Sequence, residues 1–131
     1  WDDGGWEGHR CQLPPNNFIL QPGVGYFVRL AESAAWKISG TSFSPSSTRS
    51  FSMGWNLFGL SQQLVPFINA SNMCTQLNVS VLGTAVELAR WVDGGWEVHK
   101  CGLPPNDFQL QSGIGYFLRL TRDAIWVAPA A

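Results

Sequence analysis

The histidines and cysteines that could do chemistry occur in two matching places along the chain. His9 and Cys11 recur as His99 and Cys101, at an offset of 90 residues. Imidazole and thiolate are zinc ligands, but one of each falls short of the four ligands of a structural zinc site, and only pooling both places would supply four. The sequence therefore predicts no metal site and no cofactor.

The carboxylates offer one further route to catalysis. Glu7 and Glu97 are equivalent positions of the same duplication, and glycoside hydrolysis uses a pair of carboxylates. A duplicated residue is more simply explained as a repeated structural feature. The chain has no Gly-x-Ser-x-Gly motif, and its Gly-x-Gly motifs at Gly23 and Gly113 lack the following helix of a phosphate-binding loop. We predict no catalytic residues and no enzymatic activity.

The third cysteine, Cys74, lies between the two equivalent ones. Cysteines of a protein in an oxidising compartment are expected to pair, and we predict a Cys74–Cys101 disulfide. Cys11 is then left without an equivalent partner, which points to a cysteine from another subunit or from elsewhere in a precursor. The sequence leaves two alternatives open: Cys11 is a free buried thiol, or Cys74 pairs with Cys11 instead.

Seven tryptophans are many for a chain of 131 residues. Trp and Tyr rings can stack on the apolar C–H face of a sugar ring. Trp6, Trp96, Tyr26 and Tyr116, which lie near predicted turns, are the candidates for such a platform. The alternative is that a small β-module needs these large aromatic side chains to fill its core.

Two asparagines are candidates for modification. Asn69 and Asn78 each begin an Asn-x-Ser motif, the acceptor pattern for N-glycosylation, in segments where a loop is predicted. The Ser/Thr-rich residues 41–50 could carry O-linked sugars. Both modifications require an extracellular protein in a host that glycosylates.

The positions of all these residues are set by two copies of one segment. Residues 1–40 (the first copy) and 91–130 (the second copy) align without a gap and are identical at 23 of 40 positions, which indicates one structural unit present twice. In each copy Asp-Gly-Gly between tryptophans predicts a β-hairpin, and Leu-Pro-Pro-Asn predicts a loop. Alternating apolar residues predict strands, which in the first copy lie near 18–20, at 26–30 and at 36–38.

Between the copies the composition changes. We predict a Ser/Thr-rich linker over 41–53, and an aromatic run then opens a front half, residues 54–90, that leads directly into the second copy. Residues 54–131 form a complete module, whereas 1–40 are a back half that lacks its front half. The predicted fold class is all-β and mainly antiparallel, as small barrel-like or sandwich-like modules with at most one short helix, near 64–72.

Composition limits the class of protein. Apolar residues make up 45% of the chain, charged residues only 13%, and the net charge is −1. Without a basic surface, nucleic acid is not an expected partner, and no apolar run approaches the roughly 18 residues that would span a membrane. The low charge is typical of an extracellular or cell-surface β-protein. Because the chain starts at Trp1 with no Met or signal peptide, we expect a processed piece of a precursor.

The motifs of the complete module follow a recognisable order, with GWNLFGL at 54–60, Gly95-Trp96, and GIGYF at 113–117. In this order they resemble a tandem repeat module of large secreted and cell-surface bacterial proteins, notably of filamentous green bacteria. The resemblance covers 54–126 and, as a back half, 1–40. It departs at Ser61, where the family usually has Pro, and in the first copy, which has no GWNL strand. It implies a small β-rich module with a scaffold or adhesive role and no catalytic residues.

The lone back half suggests a function. Unpaired strand edges are templates for another strand, and about 40 residues rarely bury enough surface to be stable alone. We predict a non-enzymatic extracellular structural protein, a subunit of a cell-surface polymer or filament. A neighbouring copy of the chain, or an adjoining repeat of a precursor, would complete residues 1–40 in a head-to-tail contact.

Other arrangements and another function stay open from the sequence. The two back halves could pack on one another as a pseudo-twofold pair that shares the single front half. Alternatively, the missing front half belongs to a part of the protein outside this sequence. The alternative function is a carbohydrate-binding or adhesion module that uses exposed Trp and Tyr side chains, with a polysaccharide as partner.

Overall fold

A computed structural model describes residues 1–2, 4–37, 39, 48–60 and 67–128 of the chain. Within these residues the chain forms six strands and one helix. They are β1 (Thr48–Phe51), β2 (Gly54–Gly59), α1 (Ala70–Leu77), β3 (Ala85–Val92), β4 (Gly95–Lys100), β5 (Gly115–Leu120) and β6 (Ala124–Val127).

The strands form two antiparallel sheets. The larger sheet has four strands in the order β2-β5-β3-β4, so β5 is hydrogen-bonded on both sides. In this register Phe117 of β5 lies opposite Leu57 of β2 and Ala89 of β3. The smaller sheet pairs β1 with β6. The all-β, antiparallel prediction with one short helix is confirmed, but the sheets of the described residues do not close into a barrel.

The hydrophobic core lies between one face of the larger sheet and α1. Alternate residues of β5 point to this face, where Tyr116 and Leu118 are fully buried. The helix presents its buried residues at intervals of three and four, including Met73 and Leu77, as an amphipathic helix requires. Every residue of this core cluster falls within 51–128. The module therefore has a core of its own, and none of the described residues of the first copy belongs to it.

The helix lies later in the chain than predicted. It was expected near 64–72, whereas α1 begins at Ala70, and residues 61–66 lie outside the described part. The cap sets this start: the backbone N–H of Asn69 donates to Oδ1 of Asn72 at 2.7 Å. This hydrogen bond satisfies an N–H group that the start of a helix leaves without a partner in the helix.

The loop of the second copy adds a second cap to the same helix. One carboxylate oxygen of Asp107 accepts the backbone N–H of Ser71 at 2.8 Å, and the other accepts the Ser71 hydroxyl at 2.6 Å. Burial raises the pKa of Asp107, but hydrogen bonds, chiefly those from Ser71, lower it by more, so the pKa lies below its usual value. The back half and the front half are thus joined by a charged cap.

Part of the predicted linker is a strand. Residues 48–51 of the stretch 41–53 form β1, in which Phe51 lies opposite Ala124 and is buried. The linker prediction is therefore wrong over these four residues, while 41–47 lie outside the described part. The reason is tertiary, since β1 pairs with β6 and Phe51 packs on Phe58 at 5.3 Å between ring centroids.

The first copy forms none of its predicted strands in the described residues 1–37. It makes only isolated bridges, Asp2 with Gly5 at the hairpin tip and Val24 with Phe58 of β2. The prediction of strands at 18–20 and 26–30, and over the described part of 36–38, is wrong. In the second copy β5 is a strand because β2 and β3 pair with it, whereas in the described part of the chain no strand pairs with residues 25–30.

Candidate functional site

The first copy keeps the local turns of the second copy. In both, a His Nδ1 pairs with a proline carbonyl, an Asn side chain donates to a backbone carbonyl, and a Tyr hydroxyl accepts a Gln backbone N–H. The bonded pairs are His9–Pro15 (3.0 Å), Asn16–Gly8 (3.2 Å) and Gln21–Tyr26 (2.8 Å), and in the second copy His99–Pro105 (3.0 Å), Asn106–Val98 (3.0 Å) and Gln111–Tyr116 (2.7 Å). The first copy is therefore organised locally as half of a module.

The copies differ in what covers them. Apolar residues that the second copy buries are solvent-exposed in the first. Trp36 is 74% exposed and its equivalent Trp126 is 2% exposed; Val28 is 79% exposed and its equivalent Leu118 is fully buried. We call the side chains of Phe18, Leu20, Val28, Leu30 and Trp36 the open face of the first copy.

The front half, with β1, supplies the cover in the second copy. The Trp126 indole N–H donates to the side-chain oxygen of Gln76 in α1 at 2.7 Å. The Leu110 backbone N–H donates to the carbonyl of Ile68 at 2.9 Å. Residues 48–90 are therefore what the open face of the first copy lacks.

The cysteines follow the same division. Cys74 of α1 and Cys101 of the second copy form a disulfide with a Cα–Cα distance of 5.5 Å, as predicted. Cys11 is an exposed free thiol, neither buried nor paired with Cys74. The bridge ties front half to back half where both are present.

The outer face of the larger sheet, turned away from α1, is aromatic. Phe117 lies at its centre, buried yet outside the core cluster. Trp55 and Trp96 contact it edge-on, with ring centroids 6.0 and 5.5 Å away. Trp1 and Trp6 of the first copy cover it at 5.5 and 5.7 Å. The two back halves therefore pack on one another, one of the arrangements that the sequence left open.

Hydrogen bonds at the edge of the sheet hold the first copy in place. The carbonyl of Gly23 accepts the backbone N–H of Gly59 at 2.9 Å and the guanidinium Nη1 of Arg49 at 2.6 Å. The indole N–H of Trp1 donates to the carbonyl of Trp55 at 3.3 Å. Because β2 is an edge strand, these contacts shield backbone groups that would otherwise be free to pair with another strand.

A cavity of about 400 Å³ lies in the seam between the first copy and the outer face. Its polar contribution comes from Glu87, whose carboxylate pairs with Nε of Arg119 at 3.3 Å, while the Arg119 guanidinium lies 5.7 Å from the Trp55 ring centroid. The aromatic lining residues are Trp1, Trp6, Trp55, Trp96 and Phe117. Aromatic side chains beside the Glu87 carboxylate suit a ligand with both apolar and hydroxyl groups, such as a sugar.

The four predicted sugar-stacking residues fall in three places. Trp6 and Trp96 line this cavity together, whereas Tyr26 lines a neighbouring one. Tyr116 is fully buried in the core and presents no ring face to solvent. Trp55 is not among the predicted residues, although it lies an odd number of positions from buried Phe58, which indicates the opposite face of a strand.

Tyr116 has a structural role instead. Its ring stacks on Phe108 with centroids 5.7 Å apart, and its hydroxyl accepts the Gln111 backbone N–H at 2.7 Å. Burial raises the pKa of the Tyr116 phenol above its usual value, because the ionised form would lose hydration. The side chain stays neutral and orders the loop before β5.

The two predicted glycosylation sites lie at the ends of α1. Asn69 is the N-cap and Asn78 the C-cap. The side-chain amide of Asn78 is engaged on both sides by Ala85, with Nδ2 donating to its carbonyl at 3.3 Å and Oδ1 accepting its N–H at 2.7 Å. A glycan on Asn78 would replace one of the two hydrogens of this Nδ2.

The equivalent glutamates occupy different surroundings. Oε2 of Glu97 lies 3.0 Å from Nη2 of Arg90, whereas Glu7 is exposed in the first copy. His99 is buried with Nδ1 on the Pro105 carbonyl, and among the described residues its Nε2 has no hydrogen-bond partner. In the described residues no three His, Cys, Asp or Glu side chains cluster as metal ligands would.

Comparison of the chain with protein-family models finds no match, and neither curated proteins nor solved structures give one. Among the helices of the described residues, none is long and apolar enough to cross a membrane.

Proposed function

We propose that this protein is a non-enzymatic, extracellular structural protein of the cell surface whose first copy is an assembly element, completed by a front half from a neighbouring repeat. The observation that carries the proposal is the matched exposure of the two copies. Full burial of a large apolar side chain stabilises by about 1.5–3 kcal/mol. The open face leaves several such side chains in water while their equivalents are covered.

Each chain has two back halves but one front half, and this favours an adjoining repeat as the source of the missing front half. Residues 48–90 already cover the second copy, through the core and through the Cys74–Cys101 disulfide. In a head-to-tail exchange between identical chains, residues 48–90 of one chain would leave their own second copy to cover the first copy of a neighbour. The second copy would then be exposed, so the total buried apolar area would not increase. An adjoining repeat of a longer polymer, which brings a front half of its own, adds burial. We therefore favour adjoining repeats over a homopolymer filament.

The extracellular assignment is supported by the disulfide, since such bonds persist in oxidising compartments. The free Cys11 fits the same scheme. It has the position of Cys101 and an exposed thiol, so a front half docked on the first copy would bring a second Cys74 to it.

The proposal is tested by supplying the front half together with β1. Residues 48–90 are fused directly before Trp1, which reproduces the natural junction between Arg90 and Trp91. We expect backbone amides of residues 25–30 to become protected from hydrogen exchange. After equilibration with oxidised glutathione, which accepts the two electrons of the new disulfide, peptide mapping should find Cys11 bonded to the cysteine of the added segment rather than to glutathione.

The matched control is the same fusion with Phe58→Asp in the added segment only, because a charge at this buried position prevents docking. It should leave residues 25–30 unprotected and Cys11 bonded to glutathione rather than to the added cysteine. Equal exchange rates for residues 25–30 in the fusion and in the unfused chain would overturn the proposal.

A second candidate function rests on the cavity in the seam. Its tryptophans and the Glu87–Arg119 pair suit a carbohydrate, so the protein would act as an adhesion module. We expect retention on an insoluble polysaccharide to be lost in Trp96→Ala and kept in Phe67→Ala, an exposed aromatic that does not line the cavity. Absence of binding across a glycan array would remove this candidate.

A further inference from the structure

The contact between the two copies is reciprocal. We call Trp1, Trp6 and Phe27 the first triad and their equivalents Trp91, Trp96 and Phe117 the second triad. Each triad has nearly the same internal geometry. The two tryptophans of a triad are edge-to-face with centroids 5.2 Å apart in the first triad and 5.1 Å apart in the second, at interplanar angles of 80° and 81°.

The contacts between the triads come in matched pairs. Trp6 lies 5.7 Å from Phe117, and the reverse contact, Trp96 with Phe27, is 5.8 Å. Trp1 lies 5.5 Å from Phe117, and its reverse, Trp91 with Phe27, is 6.1 Å. In a twofold contact, each contact from a residue of one half to a residue of the other is repeated with the two halves exchanged. The matched pairs of ring contacts therefore indicate a twofold, or isologous, contact.

One contact lies on the twofold axis itself. Phe27 and Phe117 are equivalents of each other and stack with centroids 6.4 Å apart at 27°. The Cα of Gly25 also lies close to its equivalent Gly115, 3.8 Å from the place where a Cβ of Gly115 would be. A Cβ at Gly115 would be in ordinary van der Waals contact with Gly25, so the two backbones approach each other near the axis.

From this symmetry we propose that the outer face is a twofold docking surface between modules, and that its partner is a second copy of the complete module. In the whole chain the first triad occupies this surface. The inference deepens the proposed function, because a completed first copy would be a second module placed back to back with the first. It rests on ring geometry rather than on the open face, so its test needs no added front half.

The symmetry argues for the second copy as partner over other occupants. A module seated on the outer face would bring the second triad in place of the first triad, ring for ring. It would also bring Trp55, for which the first copy has no equivalent. In the whole chain the tethered first copy has a high effective concentration and excludes the free module.

The test compares residues 48–131 with the whole chain by sedimentation equilibrium. The fragment contains every residue of the core cluster and the disulfide. We expect its apparent mass to double as concentration rises, while the whole chain stays at one mass. Trp96→Ala in the fragment should abolish the doubling, and Phe67→Ala, exposed away from the outer face, should leave it unchanged.

A second variant keeps the test decisive if the fragment does not fold. Phe27→Asp in the whole chain places a charge against Phe117 and Trp96, which should release the first copy and allow the same concentration-dependent doubling. The proposal is overturned if neither the folded fragment nor Phe27→Asp dimerises. Dimerisation of the unaltered whole chain to the same extent would also overturn it, because another surface would then be responsible.

Discussion

The sharpest single prediction compares two equivalent tryptophans. Trp36 and Trp126 occupy the same position of the repeat, and the surroundings differ: Trp36 is 74% exposed and Trp126 is 2% exposed. Trp126 packs near Phe58 with centroids 6.4 Å apart and donates its indole N–H to Gln76 at 2.7 Å. Truncation of each to alanine removes the same atoms from a covered and an uncovered site.

The expected magnitudes follow from this burial. A tryptophan buries roughly 150–250 Å², which at about 25 cal/mol per Å² corresponds to about 4–6 kcal/mol as an upper bound. Large aromatic-to-alanine changes in protein cores typically cost about 3–5 kcal/mol. We therefore expect Trp126→Ala to lower the free energy of unfolding by about 3–5 kcal/mol and Trp36→Ala to change it by less than about 0.5 kcal/mol.

The assay is urea unfolding with the disulfide intact, followed by tryptophan fluorescence and by far-ultraviolet circular dichroism. If Trp126→Ala does not fold, Trp126→Phe tests the same site with a smaller loss of volume. In the fusion that carries residues 48–90 before Trp1, the Trp36→Ala penalty should rise toward that of Trp126→Ala. Equal penalties at both sites in the unfused chain would refute the account of the open face.

Two further outcomes follow from contacts that join the halves of the module. The disulfide closes a loop of sequence separation 27, so replacing Cys74 and Cys101 together with alanine should lower the free energy of unfolding by about 3.5 kcal/mol; Cys11→Ala is the matched control and should leave the urea midpoint unchanged. The pKa of Asp107 is lowered in the folded state, so its contribution is present above the unfolded value of about 3.9 and is lost as pH falls through the folded value. Asp107→Asn, which removes the charge that accepts from Ser71, should lower the thermal midpoint at pH 7 and flatten its fall below about pH 4; an unchanged acid profile would contradict the capping role.

Much of the module could be predicted from local signals. The Asp-Gly-Gly between Trp91 and Trp96 gives the β3–β4 hairpin, since Asp93 and Gly94 adopt the positive φ values of 51° and 78° that such a turn uses. The alternation in β5 gives its core face. The disulfide was predictable because the repeat showed which cysteine had a front half.

Other features depend on tertiary contacts that no local pattern reports. The strand β1 comes from a Ser/Thr-rich stretch and forms because β6 offers it an edge. The second cap of α1 comes from Asp107, which lies 36 residues beyond the Ser71 that it caps. The sequence names Trp6 and Trp96 among the candidates for a sugar-stacking platform, and the cavity that they share forms because the first copy packs on the outer face.

The two copies together separate local from nonlocal causes of structure. Residues 26–30 and 116–120 share four of five residues, Tyr-Phe-x-Arg-Leu. They also share the preceding turn, with Gly23 and Gly113 at φ values of 78° and 81°. Only 116–120 is a strand, and the difference is that β2 and β3 flank it. Intrinsic β-propensity stabilises a strand less than pairing with neighbouring strands does. The sequence of the first copy is therefore compatible with a strand but does not form one by itself. We propose that a front half decides whether it becomes one.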